Sequence, residues 1–187
     1  RRQRQMCIRD RPVPGTDLEN VYLMRGYDWA TKIKAKLTDP NVKKVAVIGA
    51  GYIGIEAAEA FCKAGKEVTL LDVIDRPLGT YLDKEMTDIL EDHLKEKGIN
   101  VVTGAKINAF TGEGQVAAIQ TEQAEIATDL VIQAAGVKAN TEWLKGVVDL
   151  DERGWIITDE YLQTNLPDVY AVGDATLAYS VPARTKM

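Results

Sequence analysis

A chain of 187 residues has room for one full domain and part of another. Its hydrophobic content of 45% and charged content of 27% exclude a disordered polymer, and a net charge of −5 leaves no basic footprint for nucleic acid. No apolar run nears the ~20 residues of a membrane span and no charged-then-apolar leader is seen, so neither a membrane partner nor secretion is expected. The two cysteines, Cys7 and Cys62, form neither a CxxC nor a zinc pattern, and the setting expected is the cytoplasm.

Residues 1–11, RRQRQMCIRDR, hold five arginines and two glutamines without periodicity, a poor opening for an acidic domain. A foreign or disordered lead-in is expected there, in preference to a basic arm for an anionic partner, and Cys7 within it is assigned no chemistry. Residues 12–40 read as a connection and a helix. Pro12 to Gly15 is a proline-rich link and Val21 to Met24 a short apolar run. Asp28 reads as a helix N-cap ahead of Trp29, Ile33 and Leu37 at helical spacing. Asp39-Pro40-Asn41 then breaks the chain.

Residues 41–138 form the expected domain, organised around VAVIGAGYIGIE at 45–56. Val45, Val47 and Ile48 suit a strand packed on both faces, as in a parallel sheet. The helix that follows is rich in small and apolar residues (Ala57, Ala58, Ala60, Phe61, Ala64) and leaves at Gly65. Each glycine has a mechanical role. Gly49 allows the tight turn, Gly51 lets a pyrophosphate approach the backbone, and Gly54 lets helix and strand pack closely, with the helix N-terminus aimed at the phosphates. A second strand, Glu67 to Leu71, ends in Asp72, 18 residues beyond Gly54, where a carboxylate can accept both ribose hydroxyls of an adenosine. Strand, glycines, helix, strand and acid together are the fingerprint of a dinucleotide site. No arginine adjoins Asp72, which favours NADH over NADPH; Arg76 is the nearest.

A loop from Asp75 to Tyr81 leads to a helix at about Asp83 to Lys97, with Met86, Ile89, Leu90 and Leu94 as its apolar face and Gly98 as its stop. His93, the only histidine, reads as a solvated helix residue without a partner group. Ile99 to Thr103 is the next strand. Lys106–Phe110, Gln115–Gln120 and Ile126–Gln133 are β-like runs with no helix between them, so a β-meander replaces the usual third crossover helix. Leu130-Val131-Ile132 returns to the buried sheet and ends at Ala134-Ala135-Gly136, at the carboxyl end where ligands bind in this architecture.

Residues 139–187 change register again. Trp155 to Ile157 reads as a strand, and Val169 to Val172 as a buried strand capped by Gly173-Asp174, with Ala175 opening a helix. Asp174 is either an N-cap or a holder of a hydroxyl on a second nucleotide.

These motifs resemble the flavin-dependent pyridine nucleotide-disulfide oxidoreductase family, in which a dinucleotide domain for NAD(P)H is inserted into one for FAD. TNLPDVYAVGDA at 164–175 is similar to the family's second FAD motif. GAGYIGIEAAEAFCKAGKEVTLLDVIDRPLGTYLDKE, with TEWLKG and TDEYLQT, most resembles the group of NADH peroxidases, followed by NADH oxidases and coenzyme A-disulfide reductases. The resemblance covers about residues 12–187 and implies an α/β fold, a Rossmann-like parallel sheet with a β-meander crossover, plus the incomplete start of a returning FAD-binding segment.

The same resemblance implies roles. Gly49, Gly51 and Gly54 hold the NADH pyrophosphate and Asp72 the adenosine ribose. Tyr52 sits beside the flavin, Ile53 lines the nicotinamide pocket, Glu56 binds the carboxamide, Tyr81 covers the cofactor, Gly136 borders the nicotinamide, and Asp174 binds the FAD ribityl or pyrophosphate region. Read without it, Tyr52 and Tyr81 are surface aromatics and Glu56 a solvated helix residue. The implied parent is a homo-oligomer that passes hydride from NADH to FAD and then electrons to a redox cysteine that reduces hydrogen peroxide. Neither the family's first FAD motif nor that cysteine is in this sequence, and Cys62 reads as a small buried residue of the first helix. The alternatives are a fragment of an oxidase or disulfide reductase, or an NAD(H)-binding module without catalysis. A flavin-free dehydrogenase is disfavoured because His93 has no catalytic partner.

Overall fold

The computed structural model describes residues 13–177 and short strands at 6–8, 179–180 and 185–186, with side chains described over 13–136 and 139–176. The chain divides into two compact units, Asp10–Gly136 and Val137–Met187 with Arg1–Arg9. Of the expected lead-in, Met6–Ile8 (β1) is placed as a strand of the second unit, and the remainder lies outside the described residues.

In chain order the first unit contains β2 (Val21–Leu23), α1 (Gly26–Lys36), β3 (Lys44–Ile48), α2 (Tyr52–Lys63), β4 (Glu67–Leu71) and α3 (Lys84–Glu96). It continues with β5 (Ile99–Val102), β6 (Ile107–Thr111), β7 (Ala118–Thr121), β8 (Glu125–Ala127) and β9 (Leu130–Gln133). Five of these strands make a parallel sheet in the order β2-β9-β3-β4-β5, and β6-β7-β8 make an antiparallel meander. The expected fold class is the one observed.

The alternation of side chains along each central strand feeds two separate cores. Val45 and Val47 of β3, Val68 and Leu70 of β4, and Leu130 and Ile132 of β9 pack with Ile33, Ala57, Ala58, Phe61 and Leu94 from the three helices. Ala46, Ile48, Leu71 and Val131 point the other way, onto Ala105, Ile107, Phe110, Val116 and Ile119 of the meander segment. The central strands are therefore apolar at nearly every position because both faces are covered, one by helices and one by the meander.

Several elements differ from their sequence reading. Helix α1 starts at Gly26 with Arg25 as N-cap, so Asp28 lies in the first turn, where a negative charge is still favoured by the helix dipole. On α3, Thr87 and Leu94 are buried and Leu90 is half-buried, whereas Met86 and Ile89 are 55% and 65% exposed. Residues 87, 90 and 94 form one i, i+3, i+7 stripe and 86, 89 and 93 the next. The sheet takes the first, with the Thr87 hydroxyl turned back onto Lys84 O at 2.9 Å. The single run expected at Ile126–Gln133 is two strands, β8 and β9. The corner between them is pinned by the Asp129 carboxylate, which accepts the N–H groups of Lys43 and Lys44 at 2.8 Å each, and by the Thr128 hydroxyl donating to Leu130 O at 2.9 Å.

The second unit has β10 (Val137–Ala139) paired antiparallel with β1, a 3-10 turn at Glu142–Leu144, β11 (Ile156–Ile157) parallel to β12 (Thr176–Leu177), and β13 (Tyr179–Ser180) antiparallel to β14 (Thr185–Lys186). Its core is Val148, Ile156 and Ala175, with Leu144, Leu150, Leu166 and Ala171 packed around them. Val169 to Val172 is not a buried strand. Val169, Tyr170 and Val172 are 41%, 58% and 62% exposed, and the backbone bonds of this stretch go to the preceding loop, Thr164 N–H to Val169 O and Ala171 N–H to Leu162 O. No second strand among the described residues covers it. Gly173–Ala175 is a 3-10 turn followed by β12, and no helix opens at Ala175.

Candidate dinucleotide-binding site

The site is built where β3 ends. Gly49 takes φ 104°, and its N–H donates to Leu71 O at 2.7 Å. A Cβ there would stand 2.5 Å from Ala134 O, and one at Gly54 would stand 1.7 Å from Gly49 O. Strand, turn and helix are thus in backbone contact, which any side chain at these two positions would prevent. Gly51 differs: it is the N-cap of α2, in extended conformation, and a Cβ on it would meet open space. No side chain caps the helix and its first turn holds no acid. The helical ladder begins with Ile55 N–H donating to Gly51 O at 3.0 Å, so the N–H groups just ahead of Ile55 at the start of the helix have no partner in the ladder, an arrangement suited to an anion.

Asp72 follows β4, half-buried, its own N–H donating to Val102 O at 3.0 Å. One carboxylate oxygen accepts the Ala50 N–H at 2.6 Å and the other the Ile74 N–H at 3.1 Å. The carboxylate is therefore fixed against the glycine turn, and each oxygen keeps a lone pair for a hydroxyl. The loop beyond it folds back onto the same turn, with Leu78 N–H donating to Ala50 O at 2.9 Å and Leu78 held at φ 52° with its side chain buried.

That closure brings Tyr81 against Tyr52, ring centroids 4.9 Å apart and tilted by 51°, both more than half exposed. Ile53 and Glu56 are exposed on the same helix beside Tyr52. Gly136, exposed at φ 82°, ends the segment after β9. Gln133 pairs in register with Ile48, so Ala134 to Gly136 leave the sheet at the same end as the glycine turn. Nine of the ten sequence-expected residues therefore lie in one unit, at one end of its sheet or on the α2 helix leaving it. The tenth, Asp174, belongs to the second unit and is exposed in its 3-10 turn. Cys62 is half-buried, and its thiol donates to Lys97 O at 3.1 Å.

Sequence reasoning missed the two backbone donors that clamp Asp72 and the left-handed Leu78 that seats the loop, since neither leaves a residue-type signal. Among the described residues no group of three or more His, Cys, Asp or Glu could hold a metal, and no helix is long and apolar enough to cross a membrane.

A family model for pyridine nucleotide-disulphide oxidoreductases matches residues 5–187. The chain belongs to that family. An NADH oxidase of Enterococcus faecalis is 44% identical over 177 residues, 94% of this chain and 39% of its own length. The NAD(P)H coenzyme A polysulfide/persulfide reductase of Pyrococcus horikoshii is 39% identical over 163 residues, 87% of this chain and 36% of its own. The water-forming NADH oxidase of Lactobacillus brevis, solved with NADH, superimposes with a TM-score of 0.90 at 33% identity, over 97% of this chain and 40% of its own. An engineered water-forming NADPH oxidase made from it, solved with NADPH, gives 0.89 at 32%, over 97% and 40%. This chain thus spans roughly two fifths of the length of these relatives. The family is one of FAD-dependent enzymes working with a pyridine nucleotide.

Proposed function

We propose that residues 41–138 are the NADH-binding part of a flavoprotein that oxidises NADH, and that residues 139–187 begin a returning FAD-binding segment to which Asp174 contributes. The observation that carries this reading is the pairing of an uncapped, open helix mouth at Gly51 with a carboxylate, Asp72, fixed by Ala50 of the same turn. In this reading the α2 N–H groups hold the pyrophosphate, and Asp72 accepts the adenosine ribose hydroxyls. Tyr52 and Tyr81 form an aromatic wall that shields the nicotinamide end from water, Ile53 lines that end, Glu56 takes the carboxamide, and Gly136 leaves room beside it. The nicotinamide supplies the hydride and FAD, when bound, accepts it; the residues here bind and orient.

NADH, not NADPH, is the expected donor. The engineered NADPH oxidase carries glycine-to-alanine and aspartate-to-alanine changes eighteen residues apart, the spacing of Gly54 and Asp72, with arginines one and seven residues beyond that aspartate. Here those spacings fall on Val73 and Gly79, so the unaltered NADH-type pattern is present. For the terminal acceptor, the names of the relatives favour oxygen, while the glycine-motif stretch resembles the peroxidases and favours hydrogen peroxide reduced at a redox cysteine; coenzyme A-linked disulfides are the third option. The whole protein, a cytoplasmic homo-oligomer in this reading, distinguishes them by which acceptor supports NADH consumption.

Calorimetric titration of the chain with NADH, NADPH and FAD tests the binding reading. NADH is expected to bind, and Asp72→Ala to weaken it by roughly tenfold or more, the scale of a charge-assisted hydrogen bond. Absence of NADH binding by the folded chain would leave the glycine turn purely structural.

A further inference from the structure

We propose that the groove between the last turns of α2 and α3 is a thiol-exchange site, at which Cys62 forms a mixed disulfide with a small acidic disulfide. The groove lies at the end of α2 opposite the glycine turn, and the inference does not depend on the dinucleotide reading.

Both helices pack on one core beside the sheet, through Ala57, Ala58 and Phe61 of α2 and Leu94 of α3. Helical spacing then sets what they show each other. Glu59, Cys62 and Lys63 stand at i, i+3 and i+4 on α2, and His93 and Lys97 at i and i+4 where α3 ends. These five side chains and Ile99, the buried first residue of β5, line one cavity of about 470 Å³. Cys62 is tied across it, its thiol donating to Lys97 O at 3.1 Å.

The cavity holds more cationic groups than its one acid offsets. Lys63 Nζ lies 2.6 Å from the Glu59 carboxylate with both side chains exposed, so the pair is screened by solvent and open to exchange. Lys97 and His93 form no ion pair among the described residues. The Glu59 carboxyl is held below its ordinary value by the Lys63 hydrogen bond first, and the charges of Lys63, His93 and Lys97 act on it in the same direction. A lysine at a helix C-terminus is ordinary, since it meets the negative end of the dipole. A thiol beside two of them, in a cavity of small-ligand size, is what sets this groove apart. Hydrogen peroxide would need no such space, whereas a disulfide bearing carboxylates fills it and meets the lysines.

The exchange balances without another oxidant. The Cys62 thiolate attacks one sulfur of the disulfide, and the new S–S bond forms as the old one breaks. The departing thiolate takes up a proton to replace the one Cys62 gave to solvent, so Cys62 is oxidised and half of the disulfide is reduced.

The test uses the Cys7→Ser chain, in which Cys62 is the only thiol. Oxidised glutathione, which is acidic, and cystamine, which is cationic, are each added to the folded and the urea-unfolded chain, and adduct formation is followed by intact mass. The glutathione-to-cystamine rate ratio is expected to be roughly tenfold or more higher for the folded chain than for the unfolded one. Lys63→Gln/Lys97→Gln, with its fold checked by circular dichroism, should bring the ratio down to the unfolded value. Glu59→Gln should raise the rate with oxidised glutathione and keep the site falsifiable if the double variant does not fold. A folded chain that takes up no glutathione where the unfolded chain does overturns the site. So does a ratio no higher than the unfolded one, a ratio that the folded double variant retains, or a Glu59→Gln rate no faster than that of its parent.

Discussion

Residues 10–136 and 137–187 solve the same problem, burying apolar side chains, with unequal means. In the first unit the β3, β4 and β9 strands are covered on both faces, and fifteen apolar side chains across it are 1% exposed or less. In the second, three buried apolar residues form the centre, while Trp143, Val147, Tyr170 and Val172 are more than half exposed. The difference teaches where a site can be built in advance. Backbone held from both sides can keep a glycine at φ 104° and a carboxylate on two N–H groups; a thin core leaves Asp174 in an exposed turn.

The comparison is broken most directly by native-state hydrogen exchange. Amides of β3, β4 and β9 are expected to be protected by orders of magnitude over those of residues 140–176, since local opening follows the buried contacts. Uniform protection would mean the second unit is as well cored as the first. Next in size are core truncations. Phe61, 1% exposed between α2 and the sheet, should lose about 3–5 kcal/mol on change to alanine, and Ile156→Ala nearer 2 kcal/mol, in denaturant titrations. Equal losses would remove the contrast. Gly49→Ala comes third: the positive φ and the clash with Ala134 O should cost about 1–3 kcal/mol and cut NADH affinity with it. A variant that keeps both would show that the turn has room to relax.

The smallest effect is at the exit of α1. Lys36 Nζ lies 2.9 Å from the Asp39 carboxylate, which also accepts the Asn41 N–H at 3.0 Å. The lysine hydrogen bond, then the backbone one, hold Asp39 below the usual carboxylate range, and the same pairing raises Lys36. A depressed carboxyl contributes its stability fully above its unfolded value of about 4 and loses it as pH falls through the lower folded value. Asp39→Asn should therefore lower the melting temperature slightly at neutral pH, where the pair contributes in full, and flatten the acid limb below about pH 4, where the two proteins converge. An unchanged acid limb would show that this pair adds nothing to the first unit.

Much of this architecture was legible because its signals are local. The run Val45 to Ile48 is apolar at successive positions, which a strand can afford only inside a two-faced sheet, and the glycines and Asp72 follow at spacings set by one turn, one helix and one strand. The missing helix before Leu130 announced the meander in the same way. Other readings failed where two local solutions were equally good. On α3 the stripes 86/89/93 and 87/90/94 are both plausible, and the sheet surface selects the one carrying Thr87 and Leu94. Val169 to Val172 has the composition of a buried strand, but a strand is buried only if neighbours pair with it and cover it, and no residue within the stretch encodes those neighbours.

The sequence by itself determined the fold class and the spacing of the glycine motif, because hydrophobic period and glycine spacing are properties of consecutive residues. Only the tertiary structure decided that Asp72 is held by the N–H groups of Ala50 and Ile74, that Tyr52 meets Tyr81, and that Arg76 keeps a buried Nε without a partner among the described residues. Those contacts join segments separated by a strand, a helix or a loop, and their geometry exists only once packing has fixed the backbone between them.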